Sequence, residues 1–293
     1  MEKVFLLDGG MGQELVHRSA STKTDNLWSA RILMDEYDLV KDLHKDFIVA
    51  GAEGITINSY AITPHRLKQF NLEEEFKPLQ LKACNAATQA RDESDKDVKI
   101  LGCLPPLIGS YHRTVGITKQ DSKDVYRRMI DIQAPHVDWF IAETITSIDE
   151  AEIIVEVAQE SNIKLWLSYS VNDDDGKWLR SGEPLYLGLK HFEDTDIGAF
   201  LVNCSSPKAI AKSMHILNKF SKPFGGLPNG FVSVKPLLPG GDVSVLSKRD
   251  DFTKELFVNA ISKYISNGAS IIGGCCEVSP EYINAIHKLT KGE

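Results

Sequence analysis

No apolar run in this 293-residue chain approaches the roughly 20 residues that a bilayer span requires, and residues 1–3 lead into a β-rich run without a signal-peptide core. Neither a membrane nor a secretory route is expected. Positive charge is also scarce: 33 Lys and Arg face 41 Asp and Glu, a net charge of -8, which argues against nucleic acid and anionic membrane surfaces as partners. Small or cationic ligands fit that balance better, and a homo-oligomer is compatible with it. No glycine-rich nucleotide fingerprint or flavin motif is visible, so no organic cofactor is expected. No Pro/Gly/Ser-rich linker or compositional break divides the chain, which reads as one domain over 1–293. Cysteine is sparse and odd in number, five in all, which excludes a disulfide scaffold and suits the reducing cytoplasm.

What the chain does have is 42% apolar residues in a regular alternation. Short β-rich runs occur at Val4–Asp8, Gly54–Asn58, Lys99–Leu104, Trp139–Glu143, Lys164–Ser170, Gly198–Asn203, Pro223–Pro228 and Ala269–Gly274. Between them lie segments with helical spacing. Leu39, Val40, Leu43, Phe47 and Ile48 form one stripe, opposite Asp42, Lys45 and Asp46. Ser147 and Glu150 have the spacing of a capping box that opens a helix to Ser161. Eight strands alternating with helices predict an α/β fold, a single (β/α)8 TIM barrel, with an open doubly wound sheet as the alternative. The unusual polar and glycine clusters all fall at the carboxyl ends of the runs, which in a barrel surround one mouth.

The cysteines are the sharpest chemical signal. Cys275 and Cys276 are adjacent and follow Gly273-Gly274, while Cys204 closes the run Ala199-Phe200-Leu201-Val202-Asn203. Side chains alternate along a strand, so two consecutive cysteines converge only where the strand has bent, and the glycine pair permits a bend. Three sulfurs with a fourth corner free would suit a catalytic zinc ion that holds an exchangeable sulfur ligand. Cys84 and Cys103 read instead as small core hydrophobes. The acidic loop Asn172-Asp173-Asp174-Asp175-Gly176-Lys177 reads as a solvated surface turn.

Taken together, Leu7-Asp8-Gly9-Gly10-Met11-Gly12 with Glu14-Leu15, Asn58-Ser59-Tyr60, Glu143-Thr144, Asn203-Cys204 and Gly273-Gly274-Cys275-Cys276 followed by Pro280 resemble the homocysteine S-methyltransferase family. The likeness covers nearly the whole chain in the family's order. It implies a zinc-dependent barrel that methylates the sulfur of homocysteine to give methionine, with Cys204, Cys275 and Cys276 on the metal. The length and the absence of a C-terminal extension are similar to members that use S-methylmethionine. Betaine, S-adenosylmethionine and a methylated folate are the alternative donors, and selenohomocysteine an alternative acceptor.

The resemblance and position at strand ends together suggest further site residues. Glu143 would accept hydrogen bonds from the substrate ammonium group, or else cap the following helix; Asp8 is a second acidic candidate. Gly9 and Gly10 would bring backbone N–H groups to a substrate carboxylate, or simply make a tight turn. Tyr60 and Trp28 would face a cationic donor, although a lone Trp is more often core. Asn203 and Asn229 would orient metal ligands, or else serve as turn residues. The chain departs from the family at Gly102-Cys103-Leu104-Pro105-Pro106-Leu107, where many relatives have a glycine-rich turn. The alternatives from other classes are a zinc- or thiol-binding barrel without catalysis and a lyase or aldolase barrel; no strand end offers a lysine for the latter.

Overall fold

The computed structural model describes residues 4–20, 27–112, 117–237, 241 and 243–292, so the chain's start at residues 1–3 lies outside the described residues. In chain order the elements are β1 (Phe5–Leu6), α1 (Met11–Arg18), α2 (Ser29–Asp35), α3 (Tyr37–Val49), β2 (Gly54–Thr56), α4 (Pro64–Lys68) and α5 (Phe76–Asp92). There follow β3 (Lys99–Leu104), α6 (Lys119–Gln133), β4 (Trp139–Ile145), α7 (Ile148–Glu160), β5 (Leu165–Tyr169) and α8 (Leu185–His191). The chain then continues through β6 (Ile197–Asn203), α9 (Pro207–Leu217), β7 (Phe224–Leu227), α10 (Lys254–Ser266), β8 (Ile271–Ile272) and α11 (Pro280–Lys291). The strands lie in the parallel order β1-β8-β7-β6-β5-β4-β3-β2. A bridge between Leu7 and Gly54, with the Asp8 amide donating to the Gly54 carbonyl at 3.0 Å, joins the two ends. This is the expected (β/α)8 barrel.

Strand periodicity explains what fills it. On β4, Trp139 and Ile141 point inward while Phe140 and Ala142 meet the helices, and the same parity carries Glu143 inward at the mouth. On β6, Ala199 and Leu201 point inward and Asn203 is next in line. The floor is an aromatic plug: Trp139 stacks on Trp166 with centroids 5.1 Å apart, and Phe5 meets both rings edge-on. Leu7, Leu101, Ile141, Leu201 and Leu227 form the layer above. With the lower barrel filled by apolar groups, the polar residues at the strand ends are gathered into one cavity at the top.

Helix starts follow the local code. Ser147 accepts a hydrogen bond from the Glu150 amide at 3.2 Å, as the capping box predicts. The return arm is displaced by one residue, because Glu150 accepts from the Thr146 amide at 3.3 Å. The stripe on α3 buries Val40, Leu43, Phe47 and Ile48 as its periodicity requires. Cys84 is fully buried on α5, consistent with a core role. The first and last strands are shorter than expected, since Gly274 and Asp8 leave the ladder and bond each other, Gly274 N–H to Asp8 O at 2.9 Å. Among the described residues no helix is long and apolar enough to cross a membrane.

Gly225 on β7 has no room for a side chain: a Cβ there would lie 1.6 Å from the Ile271 carbonyl oxygen of β8. Gly182, at φ +93°, has nothing within 4 Å of its would-be Cβ. Gly225→Ala is expected to cost on the order of 3–5 kcal/mol by forcing the strands apart, and Gly182→Ala about 1 kcal/mol from backbone strain alone. Thermal and urea unfolding of the two variants would check both the order and the gap.

Candidate active site

The mouth of the barrel brings Cys204, Cys275 and Cys276 together. Their sulfurs all lie within 4.8 Å of one another, with Cys204 Sγ and Cys276 Sγ 3.7 Å apart. Sulfurs bound tetrahedrally at about 2.3 Å from a zinc ion are separated by about 3.8 Å, so the donor set and spacing fit such an ion. This is the one group of its kind that could hold a metal among the described residues. Cys204 follows β6 directly with φ 48°, and that left-handed turn swings its sulfur away from the strand's alternation. Cys275 and Cys276 occupy a turn after β8, not its strand.

The glycines before the pair act differently from expectation. Neither has a positive φ, whereas Glu277 behind the pair does, at 68°. They provide close approach: a Cβ on Gly274 would lie 2.2 Å from Val278, and one on Gly273 2.8 Å from Leu7. Gly9 and Gly10 are crowded by the same turn, at 2.2 Å from the Val278 carbonyl and 2.5 Å from the Cys275 carbonyl. The Gly10 amide is already bonded to Val278 O at 2.9 Å. Three close approaches between the β1 and β8 ends, at Gly9, Gly10 and Gly273, and one within the turn itself, at Gly274, thus require glycine at all four positions.

Cys204 receives several polar groups. Tyr111 Oη lies 2.9 Å from its sulfur, and Asn229 Nδ2 donates from 3.9 Å. Burial would raise this thiol's pKa, but the donors Cys275, Cys276, Tyr111 and Asn229 outweigh it and hold Cys204 well below the usual thiol range. Cys275 and Cys276 are pushed up because each donates to Cys204. Arg180 buttresses this group: its Nη2 donates to the Cys204 carbonyl at 3.2 Å, and its guanidinium carbon lies 5.1 Å from the Tyr111 ring centroid. Phe231, Val234, Leu237 and Leu246 pack over Cys204 and Cys276, an apolar cover that shields the sulfurs.

Two carboxylates share the pocket with the sulfurs. Asp8 Oδ2 accepts from the Thr56 amide at 2.9 Å, and Glu143 Oε1 accepts from Cys103 Sγ at 3.0 Å. Burial pushes the Glu143 carboxyl up to about 7 and raises Asp8 well above its usual range. The Glu143 charge adds to the rise at Asp8. Glu143 does not cap α7; Ser147 does. Asn203 accepts from the Thr144 amide and from Ser168 Oγ, both at 2.8 Å, and donates to Thr144 Oγ1 at 2.9 Å. It therefore fixes Thr144, held at φ 63°, beside Glu143 and bonds to no sulfur. Asn229 does approach Cys204, and its Oδ1 also accepts the Phe231 amide in a turn.

On the β1–β2 side the lining is aromatic. Trp28 and Tyr60 meet edge to face with centroids 6.1 Å apart, and both line the pocket. A Cβ on Gly12 would collide with the Trp28 indole at 2.3 Å, so α1 accommodates that ring by carrying a glycine. One face of Tyr60 is covered by Arg66, whose guanidinium carbon is 5.4 Å from the ring centroid. Tyr60 donates to Ser110 Oγ at 2.8 Å. The enclosed part of the pocket is about 100 Å³, and it opens to solvent at its rim.

All eleven residues singled out from the sequence border this mouth. Those it missed are Arg66, Ser110, Tyr111, Arg180 and the polar role of Cys103. Cys103 did carry a signal, since it shares strand parity with inward-facing Leu101 and therefore points at the same interior as Glu143. The acidic loop is also less uniform than expected. Asp173 is half-buried against Arg180 and accepts the Ser206 amide at 2.7 Å, while Asp174 is solvated.

The profile of the family described as homocysteine S-methyltransferase matches residues 5–290. Homocysteine S-methyltransferase 2 of Arabidopsis thaliana is 30% identical over 97% of this chain and 92% of its own length. Selenocysteine Se-methyltransferase of Brassica oleracea var. italica is 29% identical over 97% and 88%. Homocysteine S-methyltransferase YbgG of Bacillus subtilis (strain 168) is 28% identical over 97% and 93%. Among solved structures, the metallated form of the homocysteine methyltransferase MmuM from Escherichia coli superposes with a TM-score of 0.82 at 23% identity. That superposition covers 98% of this chain and 96% of the other, and it shows the same fold.

A buried carboxyl with a folded-state pKa of about 7 and an ordinary value near 4.5 binds its proton more tightly in the folded protein. Its contribution is therefore lost as pH rises through that window and is fully lost above it. Glu143→Gln, which stays neutral, is expected to gain melting temperature relative to the parent between pH 5 and pH 8. Parallel thermal melts with chelator present would test this; a constant difference across the range would contradict it.

Proposed function

The chain belongs to the homocysteine S-methyltransferase family, and from that premise we propose a zinc-dependent enzyme that moves a methyl group from S-methylmethionine to L-homocysteine, forming methionine. The observation that carries the reading is the meeting of Cys204, Cys275 and Cys276 within 4.8 Å in the pocket at the barrel mouth. These three residues would hold the zinc ion. When bound, that ion supplies the Lewis acidity that leaves a further sulfur ligand deprotonated at neutral pH, where a free alkyl thiol near pKa 8.5 is mostly protonated.

The chain's own residues do the rest. Asp8 and Glu143 receive the ammonium group of the acceptor, whose positive charge offsets the burial that raises both carboxyls. The acceptor carboxylate takes the Gly9 amide and the first turn of α1, which has no side-chain cap. Asn203 keeps Thr144 and Glu143 in place, and Asn229 and Tyr111 orient Cys204. Trp28 and Tyr60 face the sulfonium centre of the donor. The new sulfur–methyl bond forms as the donor's sulfur–methyl bond breaks, its electron pair remaining on a neutral thioether. The acceptor's thiol proton passes to solvent. Alignment of the two substrates in a covered pocket supplies much of the acceleration.

One domain over 1–293 and a cytoplasmic location belong to the same reading. Support for the first is the eight-stranded sheet that joins β1 to β8, and for the second the five free thiols, which a reducing compartment preserves. Betaine, S-adenosylmethionine or a methylated folate would be the alternative donors. The Brassica relative named for selenocysteine favours including a selenol among the acceptors.

Metal analysis of the purified protein is expected to find one zinc per chain, and little or none in Cys276→Ala. Methionine formation should fall to background in that variant, and activity retained without metal would refute the proposal. Glu143→Ala should leave zinc content intact and raise the KM for homocysteine about 10- to 100-fold, the effect of losing one charge-assisted hydrogen bond.

A further inference from the structure

Arg66 is a cation without a counter-charge. Its residue is only 8% exposed, and no carboxylate lies within ion-pairing distance of it among the described residues. Its Nε has no hydrogen-bond partner there. The guanidinium rests on one face of Tyr60, 5.4 Å from the centroid, and Nη2 donates to Ser110 Oγ at 3.4 Å. A guanidinium so desolvated is costly unless something anionic completes its surroundings.

Arg66 is not there by accident of a loose side chain. Thr63 caps α4 by accepting the Arg66 amide at 3.3 Å, Pro64 occupies the first turn, and Thr63 Oγ1 donates to the Leu107 carbonyl at 2.8 Å. The helix is thereby fastened to the loop that carries Ser110. A serine hydroxyl has two lone pairs and one proton. Ser110 Oγ accepts from Tyr60 Oη at 2.8 Å and from Arg66 at 3.4 Å, which occupies both lone pairs. Its proton is left to point elsewhere, and Ser110 lines the pocket. The neighbouring cation polarises that O–H and strengthens it as a donor.

The geometry points to a carboxylate-reading subsite made by Ser110 with Arg66 behind it, so that the enzyme selects methyl donors that carry an acid group together with their positive centre. This deepens the proposed function and rests on it. Ser110 and Arg66 stand on the β2–β3 side of the mouth, beside the Tyr60 ring that receives the donor and between Asp8 after β1 and Glu143 on β4. A donor bearing only a sulfonium would face Arg66 across that ring without compensation. A donor with a carboxylate neutralises Arg66 and turns its methyl-bearing sulfur toward the cysteines.

The test compares dimethylsulfoniopropionate, which has a carboxylate and no ammonium group, with trimethylsulfonium, which has neither. The wild-type holoenzyme is expected to prefer the former by about tenfold or more in kcat/KM, as loss of a charge-assisted hydrogen bond implies. Ser110→Ala and Arg66→Gln should bring the ratio toward one while the KM for homocysteine and the zinc content stay unchanged. Arg66→Lys should restore part of the preference. If Arg66→Gln does not fold, Ser110→Ala decides, since it removes a single oxygen. An undiminished preference in Ser110→Ala overturns the subsite. Calorimetric binding of the two compounds separates this from the reaction itself: binding selective for the carboxylate and lost in Ser110→Ala supports the subsite even without methyl transfer, whereas equal binding of both overturns it.

Discussion

Everything at this site depends on three sulfurs sharing a volume that repels them when they are charged and unbound. Thiolates at 3.7 Å are not mutually stable without protons or a cation between them. The protein holds them there through the backbone. Cys204 is held left-handed at φ 48°, and the Cys275-Cys276 turn is pressed against β1 where Gly9, Gly10, Gly273 and Gly274 leave no space for side chains. Strain of this kind persists only where surrounding structure over-determines it. Among the described residues five other than Gly, Asn and Asp have positive φ, namely Trp28, Tyr111, Thr144, Cys204 and Glu277, and all five are at or beside the mouth.

The same crowding couples metal ligands to substrate-binding groups. Gly274 N–H bonds the Asp8 carbonyl and Gly10 N–H bonds the Val278 carbonyl, so the turn that carries Cys275 and Cys276 is hydrogen-bonded to the segment that carries Asp8. Asn203 does the equivalent on the other side, since it precedes Cys204 in sequence yet spends its amide on Thr144, next to Glu143. A shift of one group is therefore transmitted to the other through stiff, short contacts rather than through long side chains. This is how a barrel whose strands end in separate loops presents one rigid site.

Charge is distributed with comparable economy. Two carboxyls raised by burial, a sulfur cluster and an unpaired guanidinium surround one cavity in a protein of net charge -8. Each is unfavourable when the pocket holds only water, and each is relieved by a group that a zwitterionic amino acid or its sulfonium derivative carries. The apolar cover of Phe231, Val234, Leu237 and Leu246 strengthens all of these interactions by lowering the local dielectric.

Much of this was legible from residues alone. Eight runs with the correct alternation identify the barrel, and strand parity on β4 and β6 places Glu143 and Asn203 at the mouth. The cysteine trio was readable because no apolar core calls for adjacent cysteines after paired glycines. Arg66, Ser110, Tyr111 and Arg180 were not, because an arginine in a short capped helix or a tyrosine in a loop looks solvated until burial is known. The glycines were read for their freedom of φ, yet close packing is what demands them, against Leu7 of the neighbouring segment at 273 and against Val278 of the same turn at 274. Local pattern thus determined the fold and the chemical elements of the site, since period and residue type are properties of the chain itself. Only tertiary structure decided which groups lose their water and which become partners, because desolvation and contact arise between segments that are distant in sequence.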